Sequence, residues 1–216
     1  MPKREKGKGR KCLKKRKPKP PHKFLPPAVR MFMRVDEEVS DHKAAQQFHQ
    51  LTESTNLDLI RVNSRIIRVL NPHPAHLLGG RRDNVVALWH GSNIENGLSI
   101  LRDGFRKGYR GMFGAGIYVG SRVKAQGFTG GRLSLWGLRS TREPEPGMLL
   151  KLSVALGRVY QAPEAMNKLK RAPEGFDSVQ GIKGVTKTWD DRKLQHDEWC
   201  VYHTCQVSLL EIHLID

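Results

Sequence analysis

Three side chains in this 216-residue sequence have the types and settings to do chemistry together: His90, Tyr118 and Glu198. His90 ends the apolar run Val85-Val86-Ala87-Leu88-Trp89 and precedes Gly91-Ser92. A neutral imidazole donates from one ring nitrogen and accepts at the other. Tyr118 follows a glycine-dense stretch, Gly111-Met112-Phe113-Gly114-Ala115-Gly116, that could let backbone approach a ligand closely. Glu198 stands beside Asp197 just before Trp199-Cys200-Val201-Tyr202, and a carboxylate is a possible general acid or base. Each has an ordinary structural alternative: a satisfied histidine, turn glycines that admit positive φ, an exposed carboxylate pair. The glycines form neither GxGxxG nor a P-loop, and no Ser-His-Asp or zincin order is present. His196, Cys200, His203 and Cys205 cluster, but Cys-x4-Cys on a strand segment sends the thiols in differing directions, and no second pair exists. No metal site is expected.

The elements that must position these groups are short. Residues 37–57 read as a polar helix, with Ala44, Ala45, Phe48 and Leu51 near helical spacing. From Leu57 to Leu70 the apolar residues alternate and predict one or two strands ending at Asn71-Pro72. A polar loop spans 79–84, and Val85–Trp89 predicts a strand. A helix follows, capped by Asn93, with Ile94, Leu98 and Leu101 on one face and Gly104 closing it. Met148–Leu156 and Trp199–Tyr202 predict buried strands, and Leu210, Ile212 and Leu214 alternate as in a half-buried last strand. Many short strands with few helices predict an α+β domain dominated by sheet.

Charge divides the chain unevenly. Residues 1–24 hold 12 Lys or Arg against one Glu, out of a net charge of +17 for the whole chain. Residues 1–27 are therefore expected to be a disordered basic tail, and 28–216 the folded domain. The run Lys14-Lys15-Arg16-Lys17 resembles a nuclear import signal, and such a tail also attracts nucleic acid by counterion release. A nuclear or cytoplasmic location is expected, with the nucleus favoured. Cys12, Cys200 and Cys205 are too few and odd in number for a disulfide framework. No secretory signal or membrane span is read, and the oligomeric state is left open.

The order of the pieces is more specific than any one of them. Leu88-Trp89-His90-Gly91-Ser92, Met112-Phe113-Gly114-Ala115-Gly116-Ile117-Tyr118, Gly175-Phe176-Asp177-Ser178-Val179 and Glu198-Trp199-Cys200-Val201-Tyr202 occur in that sequence. Together they closely resemble the PARP family of ADP-ribosyltransferases over roughly residues 60–216. The resemblance implies an ADP-ribosyltransferase fold of two packed, mostly antiparallel β-sheets with flanking helices. It implies NAD as co-substrate and transfer of ADP-ribose to protein or nucleic-acid acceptors, with single units favoured over polymer. It implies that His90 bonds the adenosine ribose and that the Gly91 backbone holds the nicotinamide carboxamide. Tyr118 would stack on the nicotinamide ring, and Glu198 would bond its ribose and help activate the nucleophile. Ser92, Asn96 and Arg106 fall where family members contact the adenosine side, and Phe128 would supply a second stacking face.

One stretch departs from the family. Where a Lys-Ser pair followed by an aromatic is usual, this chain reads Lys124-Ala125-Gln126-Gly127-Phe128. Ala125 has no hydroxyl for the carboxamide, a loss on the order of 1 kcal/mol. Ser121 and Thr129 are the hydroxyls that could compensate. The alternative function is a catalytically weak or inactive NAD-binding scaffold. The basic, histidine-rich signature of the RNA 2′-phosphotransferase branch is not evident. Nor is any nucleic-acid-binding fold motif that would make the tail the functional part.

Overall fold

The computed structural model describes residue 57, residues 59–61, 65–129 and 147–215. The basic tail, the polar helix expected at 37–57 (its last residue apart) and the run Lys14–Lys17 lie outside the described residues.

Among the described residues nine strands form from the apolar and alternating stretches: β1 (Leu59–Arg61), β2 (Ile66–Val69), β3 (Val85–Asn93), β4 (Ile117–Gly120), β5 (Gly147–Ala155), β6 (Val159–Ala162), β7 (Ser178–Gly181), β8 (Glu198–Val201) and β9 (Val207–Ile215). Two α-helices are described, α1 (Ile94–Asp103) and α2 (Arg122–Gln126). The strand order is β1-β2-β9-β5-β3-β4-β8-β7-β6, antiparallel except for the parallel pair β6–β7. This corrects the expected pair of packed sheets: the strands are hydrogen-bonded into one. The two halves meet at a single pairing, Trp89 with Gly120, because β3 and β4 run together only there.

Period-two alternation sorts the side chains of the second half into two apolar clusters. On β4, Ile117 and Val119 join the larger cluster, built mainly on β5, β9, β2 and α1. Tyr118, between them, turns to the smaller cluster of Met112, Phe113, Ala162, Val179, Leu194, Cys200 and Tyr202. On β8, Val201 faces the larger cluster and Cys200 the smaller. Glu198, two residues from Cys200, therefore shares the face of Tyr118.

α1 forms as its sequence predicts. The Asn93 side chain accepts from the Asn96 N–H at 2.8 Å, Ile94 and Leu101 are buried, and Gly104 closes the last turn onto Ile100. β3 runs beyond the expected end at Trp89, because β5 supplies partners as far as Asn93 opposite Gly147. α2 was not anticipated, since five residues carry too little periodicity to stand out; Ser121 caps it by accepting from Lys124 N–H at 3.2 Å.

Candidate active site

The sheet order places the three expected catalytic residues on neighbouring strands: His90 on β3, Tyr118 on β4 and Glu198 on β8. Tyr118 pairs with Cys200 and Gly120 with Glu198, so Tyr118 and Glu198 are diagonal neighbours on one face.

His90 bridges from β3 to β4 through its ring. Nδ1 lies 2.8 Å from the Tyr118 carbonyl oxygen. A carbonyl can only accept, so Nδ1 carries the proton and Nε2 is left as an acceptor. Phe105 meets the ring edge-on at 5.4 Å between centroids. Burial pulls the imidazole below its ordinary range, against the opposing pull of the carbonyl bond, so the neutral form is favoured.

Tyr118 is held at its hydroxyl by two hydrogen bonds. Its hydroxyl donates to the Gly114 carbonyl at 2.8 Å and accepts from the Phe113 N–H at 2.8 Å. Burial drives the phenol far above its usual titration range, so it stays protonated. The glycine-dense stretch is thus a clamp for the ring. At Gly111 a Cβ would lie 2.3 Å from the Tyr118 ring, and no other residue leaves that space.

Glu198 is buried at 6% exposure and has a partner that sequence reasoning gave no role. Lys124 Nζ lies 2.7 Å from Glu198 Oε2, with both side chains largely withdrawn from water. The same ammonium sits 5.2 Å from the centre of the Phe128 ring. Lys124 therefore links the carboxylate to the aromatic expected to provide the second stacking face. The sequence signal for it was its place ahead of Ala125 in the stretch where the family usually has Lys-Ser.

Gly91 also lies against α2. A Cβ there would lie 1.8 Å from the Ala125 carbonyl oxygen, so the small residue is required by the approach of α2 to β3. Ala125 is itself buried in that contact at 3% exposure. The two hydroxyls that might stand in for its missing one are engaged locally. Ser121 caps α2, and Thr129, with no exposed surface, donates to the Gln126 carbonyl at 2.9 Å.

The remaining expected contacts surround α1 and α2. Ser92 is buried in β3, whereas Asn96 is exposed in the first turn of α1. Arg106 follows Phe105, is exposed, and reaches Asp103 at 3.6 Å. Phe128 is 42% exposed just beyond α2. Cys200 is wholly buried and its thiol is pushed up to about 12 by that burial, which leaves it protonated and a poor ligand or nucleophile. Among the described residues no group of three or more His, Cys, Asp or Glu is placed to hold a metal ion. No helix among them is long and apolar enough to cross a membrane.

Residues 29–201 match the model of the poly(ADP-ribose) polymerase catalytic domain. The chain is 28% identical over 152 residues to poly(ADP-ribose) polymerase 1 of Danio rerio, covering 56% of this chain and 14% of that protein. It is 28% identical over 189 residues to the protein mono-ADP-ribosyltransferase PARP4 of Mus musculus, covering 82% of this chain and 8% of that protein. Over 114 residues it is 34% identical to poly(ADP-ribose) polymerase 1 of Caenorhabditis elegans, covering 49% of this chain and 10% of that protein. The chain thus spans a small fraction of the length of these relatives.

Proposed function

The chain belongs to the poly(ADP-ribose) polymerase catalytic-domain family, and on that premise we propose that it transfers ADP-ribose from NAD to an acceptor, releasing nicotinamide. The observation that carries this reading is the convergence of His90, Tyr118 and Glu198 on the adjacent strands β3, β4 and β8.

The residues fit such a substrate chemically. His90, neutral and with Nε2 available to accept, suits a ribose hydroxyl. Tyr118, fixed at its hydroxyl, offers a ring that cannot swing away, and a face of this kind attracts a planar cation. Breaking the bond between nicotinamide and ribose leaves positive charge developing on the sugar. A buried carboxylate stabilises that charge more than it would in water, and Glu198 is the one on this face. Lys124 holds Glu198 in a single orientation, so less reorganisation is needed when the charge develops. Gly91, Ser92, Asn96, Arg106 and Phe128 are assigned to binding the rest of the dinucleotide.

Transfer of single units is favoured over polymer, and the acceptor is taken to be protein or nucleic acid. We place the protein in the nucleus or cytoplasm, on the strength of its basic first residues. A nicotinamide-release assay with a Glu198→Ala control tests the enzyme reading, and mass analysis of the modified acceptor separates one unit from many. Equal turnover by the two proteins would sink it.

A second reading, a weak or inactive NAD-binding scaffold, is favoured by one observation. Ala125 brings no hydroxyl to the contact with Gly91, and Ser121 and Thr129 are engaged elsewhere. NAD binding by calorimetry without nicotinamide release would select it.

A further inference from the structure

We propose that the cleft between the loop at 75–81, the loop at 170–177 and the turn at 202–206 docks a partner protein through a short peptide. One bulky apolar side chain of that peptide enters the cleft, and an adjoining carboxylate meets Arg171. None of the lining residues is assigned to NAD, and the inference does not depend on NAD chemistry.

The cleft holds about 160 Å³, room for one benzene-sized ring or a branched aliphatic side chain. Its walls are largely apolar, formed by Leu77, Leu78, Ala172, Phe176 and Tyr202. Leu77 and Tyr202 are buried, whereas Leu78 is 62% and Phe176 41% exposed. Two large apolar side chains left in water beside one recess mark a contact surface, unlike apolar residues scattered singly.

Hydrogen bonds hold the recess in shape. The Tyr202 hydroxyl donates to the Phe113 carbonyl at 2.8 Å, and His76 N–H donates to the Cys205 carbonyl at 2.9 Å. Gln206 Nε2 donates to the carbonyls of Ala155 and Asp177, and its Oε1 accepts from the N–H groups of Tyr202 and His203. Phe176 N–H donates to the Pro173 carbonyl at 3.0 Å, and its ring meets Tyr160 edge-on at 5.2 Å. The exposed ring is therefore fixed in place before any partner arrives, so little order is lost on docking.

The chemistry of the lining selects the partner. Gln206 is engaged at both ends of its amide. Asp177 is engaged by Arg81 at 3.4 Å, by Arg158 at 3.6 Å and by the Arg158 N–H at 2.9 Å. A nucleobase entering the cleft would leave its edge groups unmatched against these walls, whereas an apolar side chain needs no partner. The rim is positive. Lys168, Lys170 and Arg171 are exposed, and none of them forms an ion pair among the described residues. Glu174 stands in the same loop but does not line the cleft. A carboxylate beside the inserted side chain supplies the charge that the rim lacks.

The test is fluorescence anisotropy of the full chain with a labelled peptide, Gly-Ser-Asp-Phe-Asp-Ser-Gly. A control peptide with alanine for phenylalanine measures what the basic first 24 residues attract by charge alone. The phenylalanine peptide is expected to bind about tenfold more tightly than the control. Phe176→Ala should remove about tenfold of its affinity. Arg171→Ala should remove about fivefold at low salt, an effect that shrinks as salt is raised. Both side chains are exposed, so the variants keep the fold. The proposal is overturned if the two peptides bind alike, or if both variants bind the phenylalanine peptide within about twofold of wild type. It is also overturned if the variants weaken binding of a single-stranded oligothymidylate and spare the peptide. Nicotinamide release, expected to be unchanged in both variants, keeps a failure here distinct from a failure of the enzyme reading.

Discussion

Lys124 Nζ and Glu198 Oε2 lie 2.7 Å apart, joining α2 to β8 inside the candidate site. Both side chains are mostly out of water, so removing either leaves a charge without its partner. Lys124→Ala and Glu198→Ala should each lower stability by about 1–3 kcal/mol. The double variant should recover part of that loss but no nicotinamide release. Thermal unfolding of all four proteins measures the coupling directly, and strictly additive losses would mean the pair is not an interacting unit.

Gly91 meets the Ala125 carbonyl where any Cβ would stand, at 1.8 Å from the oxygen. Gly91→Ala must therefore push α2 from β3, at a cost of about 3 kcal/mol or more. Denaturant unfolding reads the cost. A shift of only a few tenths of a kcal/mol would show that α2 yields easily.

The neutral His90 makes stability depend on pH with a definite sign. Its imidazole is held below the ordinary value of 6.5, so the folded state stays neutral where the unfolded chain takes up a proton. The contribution is complete above pH 6.5 and is lost as pH falls towards the depressed folded value. The melting temperature should drop below that point. His90→Asn, which keeps an N–H for the Tyr118 carbonyl, should flatten this part of the profile. An unaltered profile in the variant would place the titration elsewhere.

Cys200 is buried with its thiol pushed up to about 12, whereas Cys205 is half-buried. Iodoacetamide at neutral pH should leave Cys200 unmodified in the native protein and label it only after unfolding. Peptide mass mapping before and after denaturation checks this. Rapid native labelling at Cys200 would mean that β8 opens readily.

Ala125 is the place where the proposed nicotinamide pocket departs from the family pattern. Ala125→Ser should lower the KM for nicotinamide release by roughly fivefold, the equivalent of one added hydrogen bond near 1 kcal/mol. Steady-state kinetics against NAD concentration is the measurement. A KM that does not move would show that the hydroxyl has no partner in this chain.

How much of this was legible beforehand follows from what is local. α1 was readable because Asn93, Ile94, Leu101 and Gly104 declare a cap, a buried face and a stop within one short segment. β5 and β9 were readable because alternation and apolar runs are properties of neighbouring residues. The four ordered motifs, from Trp89-His90-Gly91 to Glu198-Trp199, identified the family from the residues alone.

What only the tertiary structure decided are relationships between residues far apart in the chain. The joining of the sheet through Trp89 and Gly120 depends on where two strands cease to run together, and no residue pattern encodes that. The close approach of the Ala125 carbonyl to Gly91 could not be read, because Ala125 lies on a helix too short to announce itself. Lys124 had no assigned role because an ion pair is a matter of distance. It forms only once β4 and β8 lie side by side and α2 packs against β3 and β4. Sequence specified the groups and the local elements that carry them, and the strand order brought those groups within reach of one another.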